Sequence, residues 1–210
     1  MITASTAAAL ATFALLWWAQ VAVPGPNFVR ITNAALLGSR RAAMSTAAGV
    51  ATGNAMWCVI ALSGAAIFQQ HPELRQIIAC VGAAYFTWLG AKMLHRAVTR
   101  RPTATSAPGV VYGNRTFLQG FTSASLNPQS LVYFTAAIIS GFHDLRLGLS
   151  IVLVLIVLAV TLVWYEVITR LLDNVPARDA FKRARPVIET VFGVMLLAGA
   201  IKLALPLLAR

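Results

Sequence analysis

An apolar stretch running from Ala4 to Leu37 is interrupted by Pro24-Gly25-Pro26, and no other feature restricts the fold as much. Two prolines around a glycine remove two backbone donors and free carbonyls that a helix would have bonded, so regular helix cannot pass through. In water this would be an ordinary turn. In lipid, irregular backbone is tolerated only where it is buried in protein or lines a wet cavity, so a break inside a membrane segment marks a candidate site. As one straight helix the stretch would measure roughly 50 Å against a hydrocarbon core of about 30 Å, so a kink or a tilted second half is expected. A second break, Asn127-Pro128, interrupts another apolar stretch about one hundred residues later, where the matching element of a duplicated half would lie.

The chain is 59% hydrophobic and 11% charged, with a mean hydropathy of +0.75, and its apolar residues come in runs that no small core could bury. The expected fold is all-α: a polytopic membrane protein of six transmembrane helices, with helices 1 and 4 broken by proline. After the first, the segments fall at about 42–68, 74–95, 115–142, 145–172 and 187–208. The second carries Gly49-xxx-Gly53 followed by Asn54; small residues at that spacing let another helix backbone approach, and Asn54 can hydrogen-bond across the contact. Gly82, Gly90 and Lys92 in the third are echoed by Gly193, Gly199 and Lys202 in the sixth. Residues 97–114 read as a polar surface loop. That loop divides a single membrane transport domain, 1–210, into two three-helix repeats, 1–96 and 115–210. Three crossings per half invert the second copy and place a substrate site near the midplane, between the broken helices.

The net charge of +11 would suggest nucleic acid in a soluble chain, but the lysines and arginines lie between apolar segments and read as topology signals; no nucleic-acid partner is expected. Thirteen of them flank connections 1–2, 3–4 and 5–6, against four on the other side, which makes the first set cytoplasmic and both termini periplasmic. A five-span arrangement with one segment lying in the interface would move one terminus inside. The amino terminus has no basic region before Arg30 and no small-residue cleavage site, so it is expected to stay as a membrane helix. There is no phosphate-binding glycine loop, no catalytic triad, no paired-carboxylate site and no metal cluster, so neither enzymatic activity nor a cofactor is expected. Cys58 and Cys80 lack CxxC spacing.

The candidate site residues gather at the two breaks. Pro24, Gly25, Pro26 and Pro128 shape them. Asn27 starts the second half-helix, where it can cap that helix or contact a ligand, and the amides exposed there favour an anionic group. Ser125, Asn127 and Gln129 repeat the arrangement in the other half. Arg30, one turn on, is either a carboxylate ligand or a snorkelling cytoplasmic arginine, and Asn54 is helix glue or ligand. Glu166 is read as the acidic residue well inside an apolar segment and hence the proton-coupling candidate, with Arg170 four residues on as an alternative ion-pair partner. His71, His95 and His143 fall at segment ends.

Pro24-Gly25-Pro26-Asn27, then Gly38-Ser39-Arg40-Arg41-Ala42 and the Gly49-xxx-Gly53 helix, then Gly82-Ala83-Ala84-Tyr85 through Leu89-Gly90-Ala91-Lys92, then Gln119-Gly120-Phe121 through Leu126-Asn127-Pro128, resemble in order the LysE/RhtB family of amino-acid exporters. The resemblance covers nearly the whole chain. It implies a bacterial inner-membrane exporter of amino acids or close derivatives, driven by the proton or another ion gradient. Two positions depart from the family's habit, which has lysine where Gln129 stands and often aspartate where Asn27 stands. The expected function is thus secondary export by alternating access around the two breaks, with an amino acid and the lipid bilayer as partners and a homodimer left open. The alternatives are a cation exporter, which the scarcity of acidic and histidine ligands disfavours, and a thiol carrier using Cys58 and Cys80.

Overall fold

The computed structural model describes residues 4–22, 25–37, 39–70, 72–99, 115–142, 145–173 and 175–208. Their order is α1 Ala4–Ala22, α2 Pro26–Leu37, α3 Arg40–Gln70, α4 Pro72–Thr99, α5 Thr116–Ser125, α6 Pro128–Gly141, α7 Leu147–Asp173 and α8 Val175–Leu208. Both breaks fall where proline requires them. Pro24 itself lies outside the described residues, but α1 stops at Ala22 and α2 restarts with Pro26 in its first position, where a missing N–H costs nothing. The second half repeats the pattern with a stronger start signal: Asn127 has extended backbone (φ −91°, ψ 104°) and its Oδ1 accepts from the Gln129 amide at 3.1 Å, an N-cap directly before Pro128.

Among the described residues five helices are long and apolar enough to cross a membrane: Ser5–Ala22, Arg40–Ala65, Gln76–Thr99, Leu147–Leu172 and Pro186–Leu205. The remaining expected segment, the fourth, is the one cut at Asn127. It leaves a 10-residue α5 and a 14-residue α6, roughly 15 and 21 Å long, neither matching a core of about 30 Å. Two boundaries differ from the sequence reading. α4 runs on to Thr99, into the stretch read as loop, and the rest of that loop lies outside the described residues. The link read between segments five and six is helical from Val175. Residues 175–186 are rich in alanine, lysine and arginine, contain no glycine and place Pro176 in the first turn. The helix therefore begins before the apolar segment read from hydropathy and continues through Pro186.

Glycine contacts lock the helices in pairs. A Cβ on Gly49 would meet backbone atoms of Phe117 and Phe121, one on Gly53 would lie 2.8 Å from Ala124 Cβ, and one on Gly120 would meet the Thr46 carbonyl. Helices α3 and α5 therefore touch backbone to backbone, as the Gly49-xxx-Gly53 spacing predicts. Thr116, Gly120 and Ala124 form the buried stripe of α5; Thr116 Oγ1 donates to Ser45 Oγ at 2.8 Å, and Trp57 Nε1 to the Ala124 carbonyl at 3.2 Å. On α4 and α8, a Cβ on Gly90 would lie 2.8 Å from the Gly193 carbonyl, and one on Gly193 3.1 Å from the Gly90 carbonyl. Aromatic residues fill the space between the pairs: Trp17 packs on Tyr133 and Phe134 with ring centroids 5.0 and 4.6 Å apart, and Phe86 lies 5.7 Å from Tyr133.

Candidate functional site

The two breaks meet at one small cavity. Gly25, Pro26, Asn27 and Phe28 line it from the first break, and Asn127, Gln129 and Ser130 from the second. Trp17, Gln20 and Val21 of α1, Val50 and Asn54 of α3, and Tyr165 of α7 complete its wall. Val50 and Asn54 stand near the middle of the apolar Arg40–Ala65 stretch, so the cavity sits at mid-depth of α3. Its free volume is about 40 Å³, against roughly 10–15 Å³ for one water. In this conformation the cavity has room for a few water-sized groups.

Short hydrogen bonds between elements fix the polar groups. Ser123 Oγ donates to Asn27 Oδ1 at 2.7 Å, tying α5 to α2. Asn27 therefore bridges two half-helices, and its carbonyl oxygen is engaged there; the end-capping role belongs to Asn127. Ser130 Oγ donates to Asn54 Oδ1 at 2.9 Å, and both side chains are buried. Gln20 Nε2 donates to Tyr85 Oη at 2.8 Å. Trp17 Nε1 reaches Thr161 Oγ1 at 3.2 Å, and Tyr165 Oη the Val21 carbonyl at 3.4 Å. Among the described residues no charged side chain lines the cavity. The first-turn amides of α2 have no carbonyl four residues back within the helix, which leaves its N-terminal end electropositive.

Of the residues singled out from sequence, Gly25, Pro26, Asn27, Asn54, Asn127 and Gln129 share the cavity wall; Arg30, Ser125 and Glu166 do not. Pro128 opens α6 beside the wall. Arg30 has its Nε buried without a hydrogen-bond partner among the described residues, as does the hydroxyl of Ser125. Glu166, 24% exposed, is bonded by Arg170 Nε at 2.7 Å and by Arg40 Nη2. The second of those bonds joins α3 to α7, so the ion pair read as local to α7 also crosses between helices. Glu189 was missed. It is 3% exposed and lies mid-helix in α8, because the helix begins twelve residues before the segment boundary read from hydropathy; it has a partner of its own. Gln20, Ser123, Ser130 and Tyr165 were also missed. A glutamine inside the apolar run of α1 was the available signal for the first of these.

Among the described residues no group of His, Cys, Asp or Glu could hold a metal ion. Cys58 is buried and Cys80 exposed, both as free thiols. His95 is exposed, while His71 and His143 lie outside the described residues.

Comparison with known proteins adds a family match. The model of the LysE type translocator matches residues 18–206. A threonine efflux protein of Salmonella typhi and one of Escherichia coli (strain K12) are each 28% identical over 190 residues, covering 88% of this chain and 91% of the relative. A leucine efflux protein of Enterobacter sp. (strain 638) is 29% identical over 117 residues, 55% of each chain. No solved structure matches significantly.

Proposed function

Because the chain belongs to the LysE type translocator family, we propose that it exports amino acids across the bacterial inner membrane as a secondary active transporter, by alternating access around the two broken segments. The observation that carries this reading is the single cavity walled by both breaks. A solute there would meet the electropositive start of α2 and the side-chain amides of three further elements, an arrangement suited to a carboxylate at one end and hydrogen-bonding groups elsewhere. The lack of charge among the described residues of the wall sets the solute class. A charged substrate side chain held there without a counter-charge would be costly, so the solute is a net-neutral zwitterion with an uncharged side chain. Relatives named for threonine and leucine efflux fit that class. Gln129, where the family usually has lysine, agrees with a site that carries no fixed charge.

The inverted arrangement of the halves belongs to the same proposal. Pro26 and Pro128 stand 102 residues apart and Gly90 and Gly193 stand 103 apart. The mutual approach of Gly90 and Gly193 is what a two-fold axis passing between α4 and α8 would produce. The register that supports duplication is thus near 102, whereas the echo of Gly82, Gly90 and Lys92 in Gly193, Gly199 and Lys202 runs at 109 to 111. Glu166 is the candidate for proton coupling in this proposal, since protonating its carboxylate would remove the charge that holds Arg40 of α3 against α7. The charge bias of the connections supports periplasmic termini.

Purified protein in liposomes preloaded with unlabelled threonine or leucine is expected to take up the labelled amino acid by counterflow. Lysine and glutamate are expected to be poor substrates. Failure to move any amino acid would refute the function, and equal exchange of lysine and leucine would refute the neutral-solute reading.

A further inference from the structure

We infer that Gln20 receives the ammonium group of the exported amino acid and that Tyr85 holds the Gln20 amide in the orientation this requires. The inference rests on the amino-acid export reading and names one end of that site. Gln20 stands in the last turn of α1 and lines the cavity. Its Nε2 donates to Tyr85 Oη at 2.8 Å, while its Oε1 is buried with no hydrogen-bond partner among the described residues. A buried carbonyl left unmet beside a cavity requires an explanation, and the neighbouring acceptors sharpen the point. Asn27 Oδ1 already accepts from Ser123, Asn54 Oδ1 from Ser130 and Asn127 Oδ1 from the Gln129 amide. Of the five side-chain amides on the wall, the fifth being Gln129, Gln20 is the one whose oxygen is buried without a hydrogen-bond partner among the described residues.

An ammonium carries three donors and no acceptor, so in a wall without carboxylates it must be met by carbonyl dipoles. The α2 start, lined by Gly25 to Phe28, suits the carboxylate of the same solute. Tyr85 Oη can donate or accept, and in the arrangement present it accepts from the Gln20 amide. While its oxygen accepts from Nε2, the carbonyl is left for the ligand. With the amide reversed, two N–H groups would confront the ammonium. Tyr85 is a positioning residue and Gln20 a binding residue.

The test compares three competitors of labelled threonine or leucine uptake in proteoliposomes: the amino acid itself, its 2-hydroxy acid, which lacks the ammonium, and its decarboxylated amine, which lacks the carboxylate. Hydrogen bonds to charged groups are worth about tenfold or more in affinity. Wild type should therefore prefer the amino acid over the hydroxy acid by about that factor. In Gln20→Met the preference over the hydroxy acid should collapse, while the preference over the amine, set at α2, stays as in wild type. Tyr85→Phe should show a partial loss of the same preference and not of the other. Both variants are checked for wild-type elution and melting. If Gln20→Met does not fold, the near-isosteric Gln20→Glu gives the reading: its carboxylate should improve competition by the amine about tenfold. An unchanged hydroxy-acid preference in folded Gln20→Met, or unchanged amine competition in Gln20→Glu, overturns the assignment. Wild-type protein that moves no amino acid refutes the export reading instead, so the two failures are distinct.

Discussion

The backbone contact between α3 and α5 makes a graded prediction about stability. An alanine at Gly53 would place its Cβ 2.8 Å from Ala124 Cβ, short of the 3.4 Å at which ordinary contact begins by 0.6 Å. The neighbour is a methyl group fixed to its own helix and has no rotamer through which to retreat, so the two helices must part by about half an ångström. At Gly120 the obstruction is the Thr46 carbonyl oxygen, with Thr46 C at 3.0 Å and Val50 N at 3.1 Å behind it; only movement of a whole helix relieves it. Overpacking of this kind costs roughly 1–3 kcal/mol and occasionally more, which puts Gly53→Ala toward the lower end and Gly120→Ala at the upper end or beyond. At Gly148 an added Cβ meets nothing within 4 Å, so Gly148→Ala should be neutral or slightly stabilising. Melting of the three purified variants in one detergent, at one scan rate because unfolding of such proteins is often irreversible, should rank them Gly148→Ala, Gly53→Ala, Gly120→Ala from most to least stable. Transport by Gly120→Ala should fall as well, because α5 carries Ser123 and leads directly into Asn127. A Gly120→Ala protein that melts and transports like wild type would refute the backbone contact. Damage in Gly148→Ala would show that the ranking reports glycine replacement in general.

Asn127→Ala should lower stability by about 1 kcal/mol through loss of the α6 cap, with Asn127→Asp or Asn127→Ser recovering most of it in the same melting assay. Asn54→Leu leaves the buried Ser130 hydroxyl without its acceptor and should cost about 1–3 kcal/mol; pairing it with Ser130→Ala should restore part of that loss, as a double-mutant cycle would measure. Glu166→Gln should abolish accumulation driven by a proton gradient while counterflow persists, whereas Glu189→Gln should leave the driven component in place. Proton-driven accumulation surviving in Glu166→Gln would remove Glu166 from coupling.

The breaks were legible in the sequence because proline acts through covalent structure: no neighbour can restore a missing N–H at Pro26 or Pro128. The α3–α5 contact was legible for a related reason, since glycines four apart mark one helix face whatever packs on it. The sequence could not tell which polar residues turn toward the cavity. Ser125 and Ser123 are two residues apart on α5, hence roughly 200° apart around it, and it is Ser123 that meets Asn27. Arg30 follows Pro26 by about one turn, yet the cavity wall stops at Phe28 on α2. Glu189 was obscured because hydropathy marks where a helix meets lipid, not where it begins.

The contacts also explain why the cavity lies at both breaks. Before the first break, α1 is held to α4 by Gln20–Tyr85 and to α8 by Leu16 against Gly199. After it, α2 is held to α5 by Asn27–Ser123, and α5 is locked on α3. In the second half the order is reversed: α5 belongs with α3, while α6 packs Ala136 against Gly82 of α4. At each break, then, the chain changes the helices it is tied to, with α6 touching both α3, through Ser130–Asn54, and α4, and the cavity lies among these contacts. On the alternating-access proposal, the displacement that enlarges the cavity of about 40 Å³ is expected between the backbone-to-backbone contacts and at the two breaks. On the same proposal the bonds that tie α3 to α6 and to α7, Ser130–Asn54 and Arg40–Glu166, are expected to be remade in each cycle. The Arg40 and Glu166 side chains are 48% and 24% exposed, and ion pairs of that exposure contribute little to stability. Removing this one should therefore leave melting almost unchanged and register in the transport rate, the opposite of what the glycine replacements do.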